Sequence, residues 1–284
     1  MIYIANKDTG NVLASLDISS FVGADLSERD LRGADLRDAD LRGVNFWHSD
    51  LSGADLRGAN LKHAILQGGR FDGADFSNAI LRHANAGSLN QGEAATLNDA
   101  RFCDADLHGA CMRNASLSHA DLQGASLDHV DACHADFQDS DMAGVSGRHA
   151  LFIGAKLVRA RLCSADFRNS HLNHSDLTEA NLQNADLSTD KTDSFTVLNL
   201  AILDKADLRN ANLHGVLAEN AQFSFANLDH ADLAQAVLSG ANMYRANVSS
   251  ADFTDVEMAT VNMEYANFSE ATNVDIPAYK DHVR

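Results

Sequence analysis

The side chains with the widest chemical repertoire in this chain are its 13 histidines and 40 acidic residues. His63 and His83 lie twenty positions apart, as do His129 and His149, so a regular fold could stack each pair. A pair of imidazoles is a weak metal site, because structural zinc takes four ligands with a supporting outer shell. We therefore predict no metal site.

Aspartate, serine and histidine are also the residue types of acid–base and nucleophilic catalysis. Here they are spread evenly along the chain, with no glycine-rich phosphate loop and no sign of a concave pocket. Cys133-His134 is an isolated dipeptide. The sequence therefore predicts a protein that is not an enzyme and that holds no cofactor.

Four residues near the C-terminus form a more distinctive group. Phe225, Arg245 and Tyr265 are spaced by twenty residues, and Tyr244 precedes Arg245. An arginine beside aromatic rings gains about 0.5–1 kcal/mol per contact at an exposed site. The group either stabilises the fold or forms a hot spot for a partner, and both interpretations stay open.

A five-residue pattern must position these side chains. It consists of a small residue, Asp or Asn, a large apolar residue and two polar residues, and it runs from Ala24-Asp25-Leu26 to Ala266-Asn267-Phe268. On an α-helix, successive large residues would be rotated by about 140°, and in a flat strand they would alternate between faces. A backbone that turns once per repeat satisfies the pattern and makes a solenoid.

The two inward columns compensate each other in volume. The position two before the large residue is small almost throughout, with Arg29 as the exception. Where the large residue is replaced by a small one, as at Gly147, its partner is Val145. This exchange is typical of two side chains that share one layer of a close-packed core.

The pattern resembles that of the pentapeptide-repeat family. The resemblance implies an all-β fold, a right-handed quadrilateral β-helix with about twenty residues in each coil. Following the large residues gives about twelve coils, and at about 4.8 Å per coil the rod would be about 55 Å long.

We expect the whole chain, residues 1–284, to form a single solenoid with one cap and two loops. Residues 1–17 predict a β-hairpin that caps the N-terminal end. The remaining segments are a first block at 19–88, a loop at 89–94, a second block at 95–189, a loop at 190–200, a third block at 201–270 and a polar tail at 271–284.

The net charge of −18 is distributed unevenly. In the first block, Asp35 and Asp55 should stack beside Arg37 and Arg57, so that region neutralises itself. Between residues 210 and 279, by contrast, Arg245 is the only arginine or lysine among the acids. Such a surface repels nucleic acid and attracts a basic groove, although the aspartates of the repeat alone make any such solenoid acidic.

The chain is also similar to the quinolone-resistance (Qnr/MfpA) type of the family, acidic members held to imitate duplex DNA and to bind DNA gyrase. Like the loop-bearing members, it has two loops of unequal length. It is longer, prefers Leu to Phe in its large column, and lacks the C-terminal dimer helix. The resemblance implies an acidic protein-binding rod, a DNA mimic that binds or protects a type II topoisomerase (DNA gyrase or topoisomerase IV). The alternative is a generic interaction scaffold, effector or immunity factor.

The candidate partner-binding residues lie in the loops, in the aromatic group and along the acidic third block. They are Asn90, Glu93, Asp190, Lys191, Asp193 and Phe195; Phe225, Tyr244, Arg245 and Tyr265; and Asp232, Asp252, Asp255 and Glu257. No long apolar run or basic leader is present, and the four cysteines are expected to be free thiols, which predicts a cytoplasmic protein without membrane contact. The sequence leaves the oligomeric state open.

Overall fold

The computed structural model describes residues 1–189 and 194–276, and the chain divides into two compact units, Met1–Met142 and Ala143–Arg284. Both units are built from the same repeat. Parallel β-bridges join residues twenty positions apart, such as Asp35 with Asp55 in the first unit and Asp207 with Asn227 in the second. Four repeats therefore complete one turn of the backbone, and each unit is a four-sided β-helix.

The first unit begins with the predicted β-hairpin. Strand β1 (Ile2–Ala5) pairs antiparallel with strand β2 (Val12–Leu16). The hairpin is joined to the repeats by two backbone hydrogen bonds, from Lys7 N–H to the Gly33 carbonyl and from Asp35 N–H to the Ala5 carbonyl, both 2.8 Å long. It therefore extends the hydrogen bonding of the first repeats.

Each repeat ends in a tight turn that explains most of the histidines. The turn is closed by a hydrogen bond such as the one from Ala24 N–H to the Phe21 carbonyl, and its third residue has a positive φ. Glycine, asparagine, aspartate and histidine tolerate this left-handed backbone better than other residues do. The histidines at this position are His48, His63, His83, His119, His129, His134, His149, His174 and His230.

The Asp or Asn of the pattern stabilises the same turn. Its side-chain oxygen accepts the N–H two residues later, as in Ser27 N–H to Asp25 (3.1 Å) and Thr254 N–H to Asp252 (2.9 Å). These Asx interactions satisfy a backbone donor that the turn would otherwise leave free.

The core of each unit consists of the small and large columns, which are buried. In the first unit the rings of Phe76 and Phe102 stack at 4.8 Å with planes 1° apart. Gly147 shows that compensation also crosses between coils, because a Cβ there would lie 2.6 Å from Cε1 of Phe167. The ring of the next coil, and not Val145 alone, fills the space.

The first loop enlarges one coil of the first unit. Across it, the spacing of the bridges rises from 20 to 26 residues, as between Arg70 and Thr96. The extra residues include a 3-10 helix at Gln91–Glu93. Leu89 beside it is 83% exposed, so the loop adds surface and not core.

The predicted second loop, 190–200, is wrong at its C-terminal end. His171 bridges to Val197, again 26 residues apart, so Thr196-Val197-Leu198 is a repeat and the third block begins before residue 201. Thr196 hides this repeat in the sequence because it is polar at the small position. Its buried hydroxyl accepts the Asn169 N–H (2.7 Å) and donates to the Ser188 carbonyl (3.0 Å).

The C-terminal boundary also needs correction. Thr272 bridges to Asp252, so the ladder continues into the segment predicted as a tail, 271–284. In the part of the chain that the structure describes, no helix is long and apolar enough to cross a membrane.

Leu200 is an unfavourable residue for this turn, and its replacement should stabilise the fold. It has φ 60° and is 47% exposed, so it bears the strain of a left-handed backbone without the benefit of burial. We expect Leu200→Asn to raise the free energy of unfolding by about 0.5–1 kcal/mol. Urea titration measures this change, and Asn220→Leu, at the equivalent turn of the next coil, should show the opposite change. A less stable Leu200→Asn variant would contradict the account.

Candidate protein-binding surfaces

The aromatic–arginine cluster, defined as Phe225, Tyr244, Arg245 and Tyr265, lies on one side of the second unit. The Arg245 guanidinium carbon is 5.8 Å from the ring centre of Phe225, 5.3 Å from that of Tyr244 and 5.5 Å from that of Tyr265. Tyr244 packs edge-on against both other rings. The structure thus brings together all four residues that the sequence grouped.

The cluster is open to solvent. Phe225 is 49% exposed and Tyr265 is 65% exposed. Among the described residues, no carboxylate lies within ion-pair distance of Arg245, so its guanidinium can donate hydrogen bonds to a partner. Large amphipathic rings around an available arginine are the composition of binding hot spots.

The backbone under the cluster is conformationally unfavourable. Phe225, Arg245 and Tyr265 all occupy the left-handed turn position, with φ values of 60°, 55° and 61°. A left-handed conformation costs about 1–2 kcal/mol for a residue with a Cβ, and three cation–π contacts return about 0.5–1 kcal/mol each. Over the three residues the backbone cost is at least as large as this return, so the cluster adds no stability that Asn or Gly would not supply.

A second candidate surface is the acidic column formed by Asp232 and Asp252, which bridge on adjacent coils. Hydrogen bonds from the Thr254 hydroxyl, the Asn273 amide and the Thr254 N–H hold the pKa of Asp252 below its ordinary value. His214 Nδ1 lies 3.9 Å from the Asp232 carboxylate, and no arginine or lysine among the described residues pairs with either aspartate. Within the described residues, the column therefore has no arginine or lysine that neutralises it.

The structure does not bring the acidic column and the cluster together. Asp232 and Asp252 precede Leu233 and Phe253, whereas Arg245 follows Met243, two repeats from each. Two repeats are half a turn of a four-sided helix, so the two surfaces lie on opposite sides of the second unit. Asp255 is exposed on the side of the column, and Glu257 is exposed on the side that follows it.

The first unit shows what a neutralised acidic column looks like. Asp35, Asp55 and Asp75 bridge in one row. Arg37 pairs with Asp35 at 2.7 Å and reaches Asp55 at 3.7 Å, and Arg57 pairs with Asp55 at 2.6 Å and reaches Asp75 at 3.9 Å. This alternation supports the expectation that the first block balances its own charge.

Loss of Arg57 should make the free energy of unfolding less dependent on pH, because Arg57 stabilises the ionised carboxylate of Asp55. Its hydrogen bonds lower the pKa of Asp55, against the opposite effect of partial burial. A lowered pKa stabilises the fold above the unfolded value of about 3.9 and ceases to do so as the pH falls through the folded value. We expect Arg57→Ala to cost about 1–2 kcal/mol at pH 7 because the Asp55 side chain is only 9% exposed.

Denaturant titrations between pH 7 and pH 2 measure this effect, and the gap to wild type should begin to close as the pH falls below about 4. Arg70→Ala is the control, because Arg70 is 63% exposed and lies 3.8 Å from Asp50. It should change stability by less than about 0.5 kcal/mol. A gap for Arg57→Ala that is as large at pH 2 as at pH 7 would show that the ion pair is not its cause.

The loop candidates are only partly described. Asn90 and Glu93 are exposed, and the Asn90 amide lies 3.4 Å from the Glu93 carboxylate. Phe195 is 43% exposed. Asp190, Lys191 and Asp193 lie outside the described residues.

The first predicted pair of histidines is stacked. The rings of His63 and His83 are parallel within 12°, with their centres 5.4 Å apart, and the ring of His108 lies edge-on to that of His83 at 5.9 Å. Within residues 1–189 and 194–276, no three His, Cys, Asp or Glu side chains converge in a way that could hold a metal ion.

The sequence alone did not reveal one apolar surface of the second unit, because the residues up to Leu200 were predicted to form a loop. Val197 and Leu217 bridge on adjacent coils, and Leu217 bridges to Val237, so outward apolar residues form a row. The signal was available as a spacing of twenty between Val197, Leu217 and Val237. It was hidden because Thr196 broke the expected small column.

Two solved structures are similar to this chain. HetL, a pentapeptide repeat protein involved in heterocyst differentiation regulation from the cyanobacterium Nostoc sp. strain PCC 7120, is 25% identical; the likeness covers 88% of this chain and 91% of HetL, with a TM-score of 0.43. Full-length QnrB1, a plasmid-mediated fluoroquinolone resistance protein, is 14% identical over 84% of this chain and 93% of its own, with a TM-score of 0.36. No curated protein matches the chain.

Eight copies of the pentapeptide repeat match residues 19–58, 54–86, 93–124, 110–146, 155–189 and 219–255. These segments cover more than half of the chain. Pentapeptide-repeat proteins fold as right-handed quadrilateral β-helices and generally act as structural or interaction scaffolds. The chain belongs to the pentapeptide-repeat family.

Proposed function

We propose that the protein is a non-enzymatic, protein-binding scaffold that recognises its partner through the aromatic–arginine cluster. The single observation that carries this proposal is that three bulky residues occupy exposed, left-handed turns in one column. Such strain persists where it serves a function, because the fold gains little from it. Tyrosine and arginine also contribute disproportionately to binding energy in protein interfaces.

The acidic column supports a more specific function. The acidic column presents carboxylates at steps of about 4.8 Å that no described lysine or arginine neutralises, within a chain of net charge −18. Regularly spaced negative charge is what a DNA-binding groove attracts, and it repels nucleic acid itself. In this form of the proposal the protein is a DNA mimic that engages DNA gyrase or topoisomerase IV through Asp232, Asp252, Asp255 and Glu257.

A gyrase supercoiling assay tests this more specific function, DNA mimicry toward a topoisomerase. Wild-type protein should inhibit supercoiling or relieve quinolone inhibition, and Asp232→Asn/Asp252→Asn should be several-fold weaker because it removes two charges without changing the turns. Asn181→Asp, which adds a charge on another side of the unit, is the control. No effect of wild type at any concentration, with or without quinolone, would end the topoisomerase proposal.

The cluster favours the alternative, a generic scaffold, effector or immunity factor, because aromatic recognition does not need a DNA-like charge pattern. Since the cluster and the column lie on opposite sides, substitutions separate the two functions. A partner lost with the cluster variants but kept by Asp232→Asn/Asp252→Asn would support the scaffold. The loop residues Asn90, Glu93 and Phe195 are secondary contact candidates.

The proposal also includes an N-terminal cap for the solenoid and a cellular location for the protein. Burial of Ile4 and Leu16 and the hydrogen bonds to Gly33 and Asp35 support the hairpin as the N-terminal cap. The four cysteines have no disulfide, which supports a reducing, cytoplasmic location. The count of about twelve coils stays a prediction from the repeat length.

A further inference from the structure

The aromatic–arginine cluster combines three rings with three polar groups that the fold does not use. These groups are the guanidinium of Arg245 and the phenol hydroxyls of Tyr244 and Tyr265. Within the part of the chain that the structure describes, none of the three has a hydrogen-bond or ion-pair partner. Phe225 and Tyr265 are 49% and 65% exposed. A partner that fits the cluster therefore offers apolar surface to the rings and hydrogen-bond acceptors to the donors between them.

The two exposed rings are spaced by two coils. Phe225 N–H donates to the Tyr244 carbonyl at 2.9 Å. Arg245 N–H donates to the Glu264 carbonyl at 3.0 Å, so the cluster spans three successive coils. At about 4.8 Å per coil, Phe225 and Tyr265 are about 9.6 Å apart, with Arg245 between them. A polyproline II helix has three residues per turn and rises about 3.1 Å per residue, so its residues i and i+3 lie about 9.3 Å apart on one face.

Other regular conformations match the cluster less well. Residues on one face of an extended strand repeat about every 6.7 Å, which is too short for the two rings. An α-helix uses its backbone carbonyls for its own hydrogen bonds, so it offers few acceptors to Arg245. A polyproline II helix has no internal hydrogen bonds, and its carbonyls are free to accept. It therefore satisfies both the spacing of the rings and the donors between them.

The charge beside the cluster indicates what flanks such a segment. Glu264 precedes Tyr265, is exposed, and has no ion-pair partner among the described residues. The chain as a whole carries a net charge of −18. A lysine or arginine next to the prolines would pair with Glu264 and would be attracted by the rest of the chain. An acidic segment would be repelled.

We propose that the cluster binds a proline-rich segment of its partner in the polyproline II conformation, flanked by lysine or arginine. This inference rests on the proposed function, a scaffold that recognises a protein through the cluster. Two prolines three residues apart pack on Phe225 and Tyr265, and Arg245 donates to a carbonyl between them. Such a segment is already ordered before it binds, so it loses little conformational entropy.

Fluorescence anisotropy of a labelled synthetic peptide, titrated with the full chain, tests this inference. The probe contains three Pro-Pro-Ala triplets between two lysines, and the reference peptide has alanine in place of every proline. Wild type should bind the proline peptide at least about tenfold more tightly than the alanine peptide. A third peptide, with glutamate in place of both lysines, should bind several-fold more weakly than the probe, and this difference should shrink at high salt.

Variants of the chain assign the binding to the cluster. Phe225→Asn/Tyr265→Asn should weaken binding of the probe at least about tenfold, because both ring surfaces are lost. Arg245→Lys keeps the charge but removes the planar fork, and should weaken it several-fold. Gln235→Asn is the matched control, since Gln235 occupies the same left-handed turn on the opposite side of the unit. If the double variant does not fold, as judged by circular dichroism, Arg245→Lys carries the test alone.

The inference is overturned if wild type does not bind the probe at concentrations up to about 1 mM, if the alanine peptide binds as tightly, or if the cluster variants bind like wild type. A comparison of wild type and cluster variants as baits in a lysate separates this failure from failure of the proposed function. Baits that retain different proteins would leave the cluster as a binding surface for a partner of another chemistry. Baits that retain the same proteins equally would end both proposals.

Discussion

Phe102→Ala is expected to destabilise the protein by about 3–5 kcal/mol. Phe102 is fully buried, and its ring stacks on Phe76 at 4.8 Å. Its removal leaves a cavity that the small column cannot fill, because Ala100 beside it has no side-chain length to contribute. Urea titration followed by circular dichroism measures the loss, and hydrogen exchange should show it concentrated in the coils that hold Phe76 and Phe102.

Phe102→Leu is the control for this prediction. Leucine occupies the large column in many other repeats, so the loss should be below about 1.5 kcal/mol. A loss below about 1 kcal/mol for Phe102→Ala would contradict the account, because it would mean that the stacked rings do not form the core.

The second large effect is expected on binding and not on folding. Phe225→Asn/Arg245→Asn/Tyr265→Asn replaces three strained residues by one that suits a left-handed turn. Stability should fall by no more than about 1 kcal/mol, because the relief of backbone strain is at least as large as the loss of the cation–π contacts. Affinity for the partner should fall by at least about 30-fold, since hot-spot residues contribute about 2 kcal/mol or more each.

Thermal unfolding and titration calorimetry with the partner measure the two quantities. Asn184→Ala, at an equivalent turn outside the cluster, is the control and should leave affinity unchanged. A triple variant that loses about 3 kcal/mol of stability but keeps its affinity would show that the cluster is a structural ladder.

Much of the fold could be predicted because the same short residue pattern, with the same local interactions, recurs in each repeat. Asp25 and Asp252 are of a residue type that bonds its own backbone in turns, and both accept the N–H two residues later. The stacking of His63 on His83 followed from a spacing of one coil. The grouping of Phe225, Arg245 and Tyr265 followed from the same spacing.

The rest depended on contacts that a repeat does not encode. Thr196 is acceptable in the core because Asn169 and Ser188 satisfy its hydroxyl, and no local pattern reveals those partners. Gly147 is filled from the next coil by Phe167. That the acidic column and the cluster lie on opposite sides can be predicted only once the order of the four sides around a coil is known.

The central claim, that the cluster is a protein-binding surface, is tested most directly by comparing what two baits retain from a lysate of the cells that make the protein. Wild type and Phe225→Asn/Arg245→Asn/Tyr265→Asn, first shown to unfold at similar temperatures, are immobilised at equal density. Bound proteins are then quantified by mass spectrometry. The account predicts at least one protein retained at least about tenfold more by wild type than by the variant. Equal retention of the same proteins by both baits would contradict it.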